Sequence, residues 1–205
     1  MARYYSSQNL PQIGRYTMTT APTEKALSVA EVRTHLKISA TTEDTYLGNL
    51  IDVATEMVQN YTSQVIMTQT IDLHLPYFLN RIDINRCPVS TLVHVKYYDS
   101  DNSLQTLDST NYTANIGVND SIDQSPIPTS IIPAENITYP DTYPRMDAVE
   151  IRFEAGADGD QNVPEVIRQA MLLIIGQLYL NRTDMVYKMP VLSEYLLNPY
   201  RLGGV

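Results

Sequence analysis

Hydrophobic residues between positions 27 and 62 recur at the spacing of α-helices. Ser28 and Glu31 have the Ser-x-x-Glu pattern of a capping box, which predicts a first helix that closes near Ile38. A second helix of about five turns follows, with Thr41 or Thr42 as its predicted N-cap. Its apolar residues, which fall on one face, are Leu47, Leu50, Ile51, Ala54, Met57, Val58 and Tyr61. This region is therefore predicted to be a pair of helices that each bury one side.

From Ser63 the pattern changes to alternating apolar and polar residues, which predicts β-strands. The stretch 117–145 holds five prolines and is predicted to be a loop, because proline interrupts the hydrogen-bonded ladder of a sheet. The predicted strands cover residues 65–75, 81–85, 91–98, 103–107, 111–116 and 148–153.

The last third of the chain returns to helical spacing. Pro164 is suited to the first position of a long helix, with Asn162 as a plausible cap. This helix is apolar on nearly all sides, which is typical of a helix covered by other helices or by another subunit. A short helix is predicted over 191–197, after Pro190.

These patterns predict an α+β fold. Two N-terminal helices, a long C-terminal helix and a short one form a helical bundle, and an antiparallel β-rich module is inserted between them. The predicted organisation is an extended N-terminal arm over 1–26 that a partner would order, a helical core over 27–62 and 163–198, the inserted module over 63–162, and a C-terminal tail over 199–205.

Composition limits the classes of function. The net charge is -9, and residues 99–162 carry 12 acidic side chains against two arginines, so the inserted module is acidic. This balance argues against a main affinity for phosphate backbones. Fifteen tyrosines without a tryptophan favour polar contact surfaces, and a single cysteine excludes an internal disulfide framework. The longest apolar window is too short to cross a bilayer, so no membrane association is expected.

Candidate catalytic and metal-binding groups do not form a matched set. His74 and His94 lie on predicted strands near Asp72 and Asp83, but a metal site would require a register that the sequence does not fix, and solvent-facing histidines are favoured. The thiol of Cys87 has no histidine at motif spacing and is interpreted as structural. The sequence therefore predicts no catalytic residue, no cofactor and no metal site.

Four stretches, in this order, resemble the head–tail connector (adaptor) proteins of tailed bacteriophages. They are the helix pair from Leu27 to Thr62, the segment Arg86–Asp99 with its Pro-Val and Tyr-Tyr-Asp residues, the strand and apolar helix from Val149 to Arg182, and the C-terminal Leu196–Arg201. Together they span about residues 27–201, and their order and spacing carry the resemblance more than any single motif.

The resemblance implies a structural virion protein that is made in the host cytoplasm and placed in the virion neck. Such proteins form a homo-oligomeric ring, usually of twelve copies, between the portal protein above and a stopper or tail protein below. The genome passes through the central channel without sequence-specific binding, and an acidic wall would suit this passage because it would not hold phosphates.

Two groups of residues are candidates for these contacts. The portal-docking tail is predicted to comprise Leu196, Leu197, Pro199, Tyr200, Arg201 and Leu202, with a frayed terminus as the alternative. Contacts around the ring are predicted for Leu172, Leu173 and Ile175, with an ordinary intramolecular core as the alternative.

A second function remains open from the sequence, a β-rich glycan- or receptor-binding virion protein. It would need an exposed aromatic platform, for which Tyr97 and Tyr98 are the only adjacent pair on the middle strands. A hydrolase using Asp and His is less favoured because no matched site is visible.

Overall fold

The computed structural model describes residues 14–116, 128–182 and 189–202. Helices and antiparallel strands occur together, which confirms the predicted α+β class. The α-helices in this part of the chain are α1 (Val29–Leu36), α2 (Asp44–Thr62), α3 (Glu165–Leu180) and α4 (Val191–Leu197). The strands are β1 (Arg15–Thr20), β2 (Gln69–Leu75), β3 (Ile82–Ile84), β4 (Val89–Tyr98), β5 (Leu104–Thr106), β6 (Tyr112–Asn115), β7 (Thr129–Pro133) and β8 (Val149–Ala155).

The two N-terminal helices begin in different ways. At α1 the Ser28 hydroxyl accepts a hydrogen bond from the Glu31 backbone N–H at 3.2 Å, as the capping pattern predicts. At α2 the N-cap residue is Glu43, which makes no side-chain cap, so the predicted caps Thr41 and Thr42 are wrong. The Glu43 carboxylate is instead occupied by the C-terminal end of α3, where it accepts a hydrogen bond from the Tyr179 hydroxyl at 2.5 Å.

Helix α3 lies at the centre of the helical part, with α1, α2 and α4 packed around it. Arg168, which is buried on this helix, donates to the Glu31 carboxylate at 2.8 Å and to the backbone oxygen of Asp160 at 2.8 Å. The apolar character of α3 on nearly all sides is therefore explained by helices of the same chain that cover it.

The larger sheet has the strand order β1-β2-β8-β4-β5, and every neighbouring pair is antiparallel. Its register places Ile71 opposite Phe153 and Leu73 opposite Ile151, so that apolar side chains share one buried face. The alternate positions, among them Asp72 opposite Arg152, form a polar second face.

Part of the predicted N-terminal arm, 1–26, belongs to this sheet. Residues 15–20 form β1, and the partner that orders them is the chain's own β2. A Cβ atom on Gly14 would lie 2.6 Å from Cδ1 of Leu73, so glycine lets the strand begin in close contact with the core. Residues 1–13 lie outside the described residues.

The smaller sheet, β3-β7-β6, corrects the prediction of a continuous loop over 117–145. Residues 129–133 form its central strand β7, while 117–127 lie outside the described residues. The prolines do not interrupt the ladder because Pro128 precedes the strand and Pro133 ends it. The interior residues of β7, Ser130 to Ile132, are not prolines, so their backbone N–H groups remain available for the sheet.

The helical and β-rich parts have separate hydrophobic clusters, one around Ile51 and Met171 and one around Ile151 and Phe153. Within the described ranges, no helix has the length and apolar character needed to cross a membrane.

Candidate functional site

The predicted portal-docking tail is largely attached to the rest of the chain. Leu197, Tyr200 and Leu202 are buried, while Leu196 is half-buried. The Gln64 side chain donates to the backbone oxygen of Tyr200 at 2.6 Å. The end of this segment therefore forms part of the helical core, although sequence analysis predicts a tail that docks on the portal or, as the alternative, a frayed terminus.

Two residues of the predicted tail, Pro199 and Arg201, are exposed. The Arg201 guanidinium lies 5.0 Å from the centre of the Tyr61 ring, and the Tyr61 hydroxyl donates to the side-chain oxygen of Asn198 at 2.7 Å. These contacts fix the segment on the C-terminal end of α2, so its exposed residues are presented from a rigid support.

Helix α4 carries an exposed apolar face that sequence analysis misses. Val191 is 81% exposed, Leu192 55% and Tyr195 74%. The opposite side of the helix is buried, and the Ser193 hydroxyl donates to the backbone oxygen of Ala170 at 3.2 Å. Apolar residues at positions i, i+1 and i+4 next to the buried Leu197 are the signal from which this second face could be found.

The predicted ring residues on α3 lie mainly in the chain's own core. Ile175 is fully buried and Leu172 retains 8% exposure, whereas Leu173 is half-buried. A second copy could not reach Ile175 without opening the helical packing. Among the three, only Leu173 offers a substantial accessible surface.

The polar face of the larger sheet carries a network of ion pairs. Arg152 donates two hydrogen bonds of 2.7 Å to the carboxylate of Asp72, which also accepts a hydrogen bond from the Thr19 hydroxyl at 2.9 Å. The ring of His94 lies 2.9 Å from the Glu150 carboxylate. The Arg152 hydrogen bonds lower the pKa of Asp72 below its usual value, against the opposing effect of burial.

Asp72, His74 and Glu150 offer ligand atoms that lie within 4.8 Å of one another, an arrangement that could hold a metal ion. However, both oxygens of Asp72 already accept hydrogen bonds from the Arg152 guanidinium. A cation in this cluster would have to displace that guanidinium from Asp72, and the nearby positive charge of Arg152 would disfavour its binding. The donor set fits an ion-pair network that joins β1, β2, β4 and β8 better than a metal centre.

The remaining candidates for chemistry are a buried thiol and an open cavity. Burial raises the pKa of the Cys87 thiol to about 11, so little thiolate forms at neutral pH. An open cavity of about 310 Å³ lies between β1 and the C-terminal end of α2, and its polar lining includes Gln59, Gln69 and Arg86. Among the described residues that line this cavity, none carries a carboxylate, an imidazole or a thiol.

Tyr97 and Tyr98 do not form an open aromatic platform. The Arg145 guanidinium lies 3.8 Å from the centre of the Tyr98 ring and is held there by two hydrogen bonds to Asp147. Tyr97 packs edge-to-face on Phe78 with 5.6 Å between ring centres. The stacking surface that a glycan-binding alternative requires is therefore occupied by neighbouring side chains.

Comparison with known families finds one family that matches about the N-terminal half of the chain. Residues 26–125, which include α1, α2 and the strands from β2 to β6, match the family described as Phage gp6-like head-tail connector protein. The predicted resemblance to head–tail connectors is confirmed. Among curated proteins, no sequence matches the chain.

Solved structures are similar to the chain over nearly its whole length. A chain in the neck of an empty gene transfer agent (GTA) particle, computed with C6 symmetry, has a TM-score of 0.75 and 23% identity, with 93% of this chain and 97% of that chain covered. A chain in the virion of a native GTA particle has a TM-score of 0.74 and 24% identity, with coverages of 93% and 96%. A chain in the neck of a native GTA particle computed with C12 symmetry has a TM-score of 0.71 and 21% identity, with coverages of 93% and 97%. At these identities the comparisons establish a shared fold.

Proposed function

We propose that the protein is a structural component of the virion neck that forms an oligomeric ring between the portal and the tail or stopper. The observation that carries this proposal is the shared fold with neck chains over 93% of the present chain, together with the connector family match at residues 26–125. A fold shared over both the helical and the β-rich part supports a similar place in an assembly.

A ring of twelve copies is the favoured number. One of the similar neck structures was computed with C12 symmetry and another with C6 symmetry, and twelve copies are compatible with both. Cyclic rings of identical chains are a common form of assembly, and each needs a pair of complementary surfaces on every copy.

The exposed face of α4 and the end of the chain are proposed to dock on the portal. Val191, Leu192 and Tyr195 are apolar and exposed on one short helix, and the exposed Pro199 and Arg201 follow directly. An exposed apolar cluster with a charged rim is typical of a protein interface. The buried side of α4 supports this surface, so that docking need not order a free chain.

The genome is proposed to pass through the ring without sequence-specific binding, and the protein is proposed to have no catalytic activity. The net charge of -9 disfavours tight contact with phosphates. The residues of the polar cavity and the buried Cys87 thiol do not supply a nucleophile with a base.

Substitution of exposed residues on α4 tests the docking surface. Deletion of residues 196–205 is unsuitable because it would remove the buried side chains of Leu197, Tyr200 and Leu202. Val191→Asp combined with Tyr195→Ala should keep the fold, since both side chains are exposed, and should weaken binding to purified portal by about a hundredfold because apolar contact is replaced by a charge.

Met146→Asp is the matched control, because Met146 is 82% exposed but lies in the β-rich part. Circular dichroism would verify folding, and binding would be measured by surface plasmon resonance on immobilised portal. Portal binding that is unchanged by the α4 double substitution would contradict the assignment of this face.

A further inference from the structure

In the part of the chain that the structure describes, the larger sheet ends in two edge strands. β1 forms one edge and β5 the other, and within the described residues each pairs in the sheet with a single neighbour, β2 or β4. The outer side of an edge strand presents N–H and C=O groups that can pair with a strand of another chain. These two edges are therefore the places where a second chain can extend the sheet.

The β1 edge is held in place by its own chain. The Tyr16 ring packs edge-to-face on Phe153, and the Tyr16 hydroxyl accepts a hydrogen bond from the Asn85 backbone N–H at 3.1 Å. The pairing with β2 is regular from Arg15 to Met18, and a register shift follows before Thr20. A preformed edge of this kind loses little conformational entropy when a partner strand is added.

The two edges carry opposite charge. At β1, Arg15 is exposed and the Arg86 guanidinium lies 5.5 Å from the centre of the Tyr16 ring. At the other edge, Asp101 and Asp108 are exposed on either side of β5. The β1 edge is thus basic and the β5 edge acidic.

Local hydrogen bonds stabilise the ionised form of two carboxylates next to β5, Asp99 in the turn before it and Asp108 after it. The backbone N–H of Ser103 holds the pKa of Asp99 below its usual value, and the backbone N–H of Thr110 does the same for Asp108. Both carboxylates are therefore negatively charged at neutral pH.

Each edge also exposes one large apolar side chain. Met18 on β1 is 57% exposed, and Leu104 on β5 is 54% exposed. Neither strand contains proline or lysine, which commonly protect open edges against pairing. The regular part of β1 and the whole of β5 are similar in length, about four and three residues.

We propose that the β1 edge of one copy pairs with the β5 edge of the next copy, so that the sheets of neighbouring subunits join around the ring. This inference rests on the ring proposed above. A cyclic ring needs two unlike surfaces that complement each other, and a basic edge with Met18 and an acidic edge with Leu104 meet that need. The occupant of each edge is thus a second copy of this chain.

Lysine substitutions at the two edges test the pairing. Met18→Lys and Leu104→Lys each place a charge on an edge strand. The charge is exposed to solvent in the single chain, but it would lose its hydration in the paired interface. Val53→Lys, at a side chain on α2 with 44% exposure, is the matched control. The number of chains bound per portal is measured by mass photometry over a range of protein concentrations.

The wild-type protein and the control should fill the ring cooperatively. Each edge variant should still bind the portal through the unchanged α4 face, but without cooperativity and with half-filling at a concentration raised by about tenfold or more. Edge variants that assemble like the wild type would overturn the edge pairing while leaving the ring proposal intact. A wild-type protein that never binds the portal in multiple copies would overturn both.

Charge reversal provides a second, independent test of the edge pairing. Arg15→Asp and Asp101→Arg should each weaken ring filling, because each places like charges across the interface. The double variant should recover at least part of the wild-type assembly, since it restores the attraction with inverted signs. Failure of the double variant to improve on either single variant would contradict the proposed pairing.

Discussion

The carboxylate of Asp72 shows how one residue connects three strands. It lies on β2, is nearly buried, and accepts hydrogen bonds from Arg152 on β8 and Thr19 on β1. His94 and Glu150 extend the polar contacts to β4. A buried carboxylate is stable in this position only while its hydrogen-bonding partners remain.

This contact predicts a defined pH dependence of stability. The Arg152 hydrogen bonds lower the pKa of Asp72 in the folded protein, so its contribution is fully present above the unfolded value of about 3.8 and is lost as the pH falls through the lower folded value. Asp72→Asn should therefore reduce the free energy of unfolding by about 2 kcal/mol at pH 7 and pH 5, and by progressively less below pH 4.

Urea unfolding of the wild type and the variant at several pH values measures this difference. Asp52→Asn is the control, because Asp52 forms an exposed pair with Lys25 and should contribute less than about 1 kcal/mol. A loss of stability at Asp72→Asn that is the same at pH 3 as at pH 7 would show that the ionised carboxylate is not responsible.

At the scale of elements, local patterns in the sequence predict most helices and strands but not all of their partners. Alternation and helical spacing depend on burial of one face, and α2, β2 and β8 have that pattern. The strand β1 is missed because all its side chains except Tyr16 are exposed, so its order comes from backbone pairing. The strand β7 is missed because nearby prolines suggest a loop, although they lie at its end and just before it.

The junction between the helical and β-rich elements depends on Gly156. This residue has φ of 105°, and a Cβ atom there would collide with the carbonyl group of Met67. Its backbone N–H donates to the Pro88 oxygen at 2.9 Å, so the backbone cannot move away without losing a hydrogen bond.

Gly156→Ala should therefore lower the free energy of unfolding by about 3 kcal/mol or more, from backbone strain and overlap together. Gly159→Ala is the matched control. Gly159 also has a positive φ, of 87°, but its Cβ would meet nothing closer than 3.9 Å, so only about 1 kcal/mol of strain is expected. Equal losses in the two variants, measured by urea unfolding, would contradict the close packing at Met67.

At the scale of the whole molecule, the class of protein follows from the sequence more readily than its contact residues. The order of helices, strands and apolar helix predicts the connector-like arrangement, because order and spacing reflect the fold as a whole. The proposed contact residues include Pro199 and Arg201 but otherwise differ from the predicted ones, because apolar character does not reveal which neighbour covers a side chain. Ile175 and Leu197 are covered by their own chain, whereas Val191 and Tyr195 are exposed.

The central claim is that copies of this chain form a ring at the virion neck. Electron cryo-microscopy of intact particles, with this chain fitted into the neck density, tests the claim most directly. The proposal predicts an annular layer of twelve copies in contact with the portal, with α4 facing the portal and the larger sheets adjacent around the ring. A neck whose density contains no copy of this fold, or particles in which the chain lies away from the head–tail junction, would contradict it.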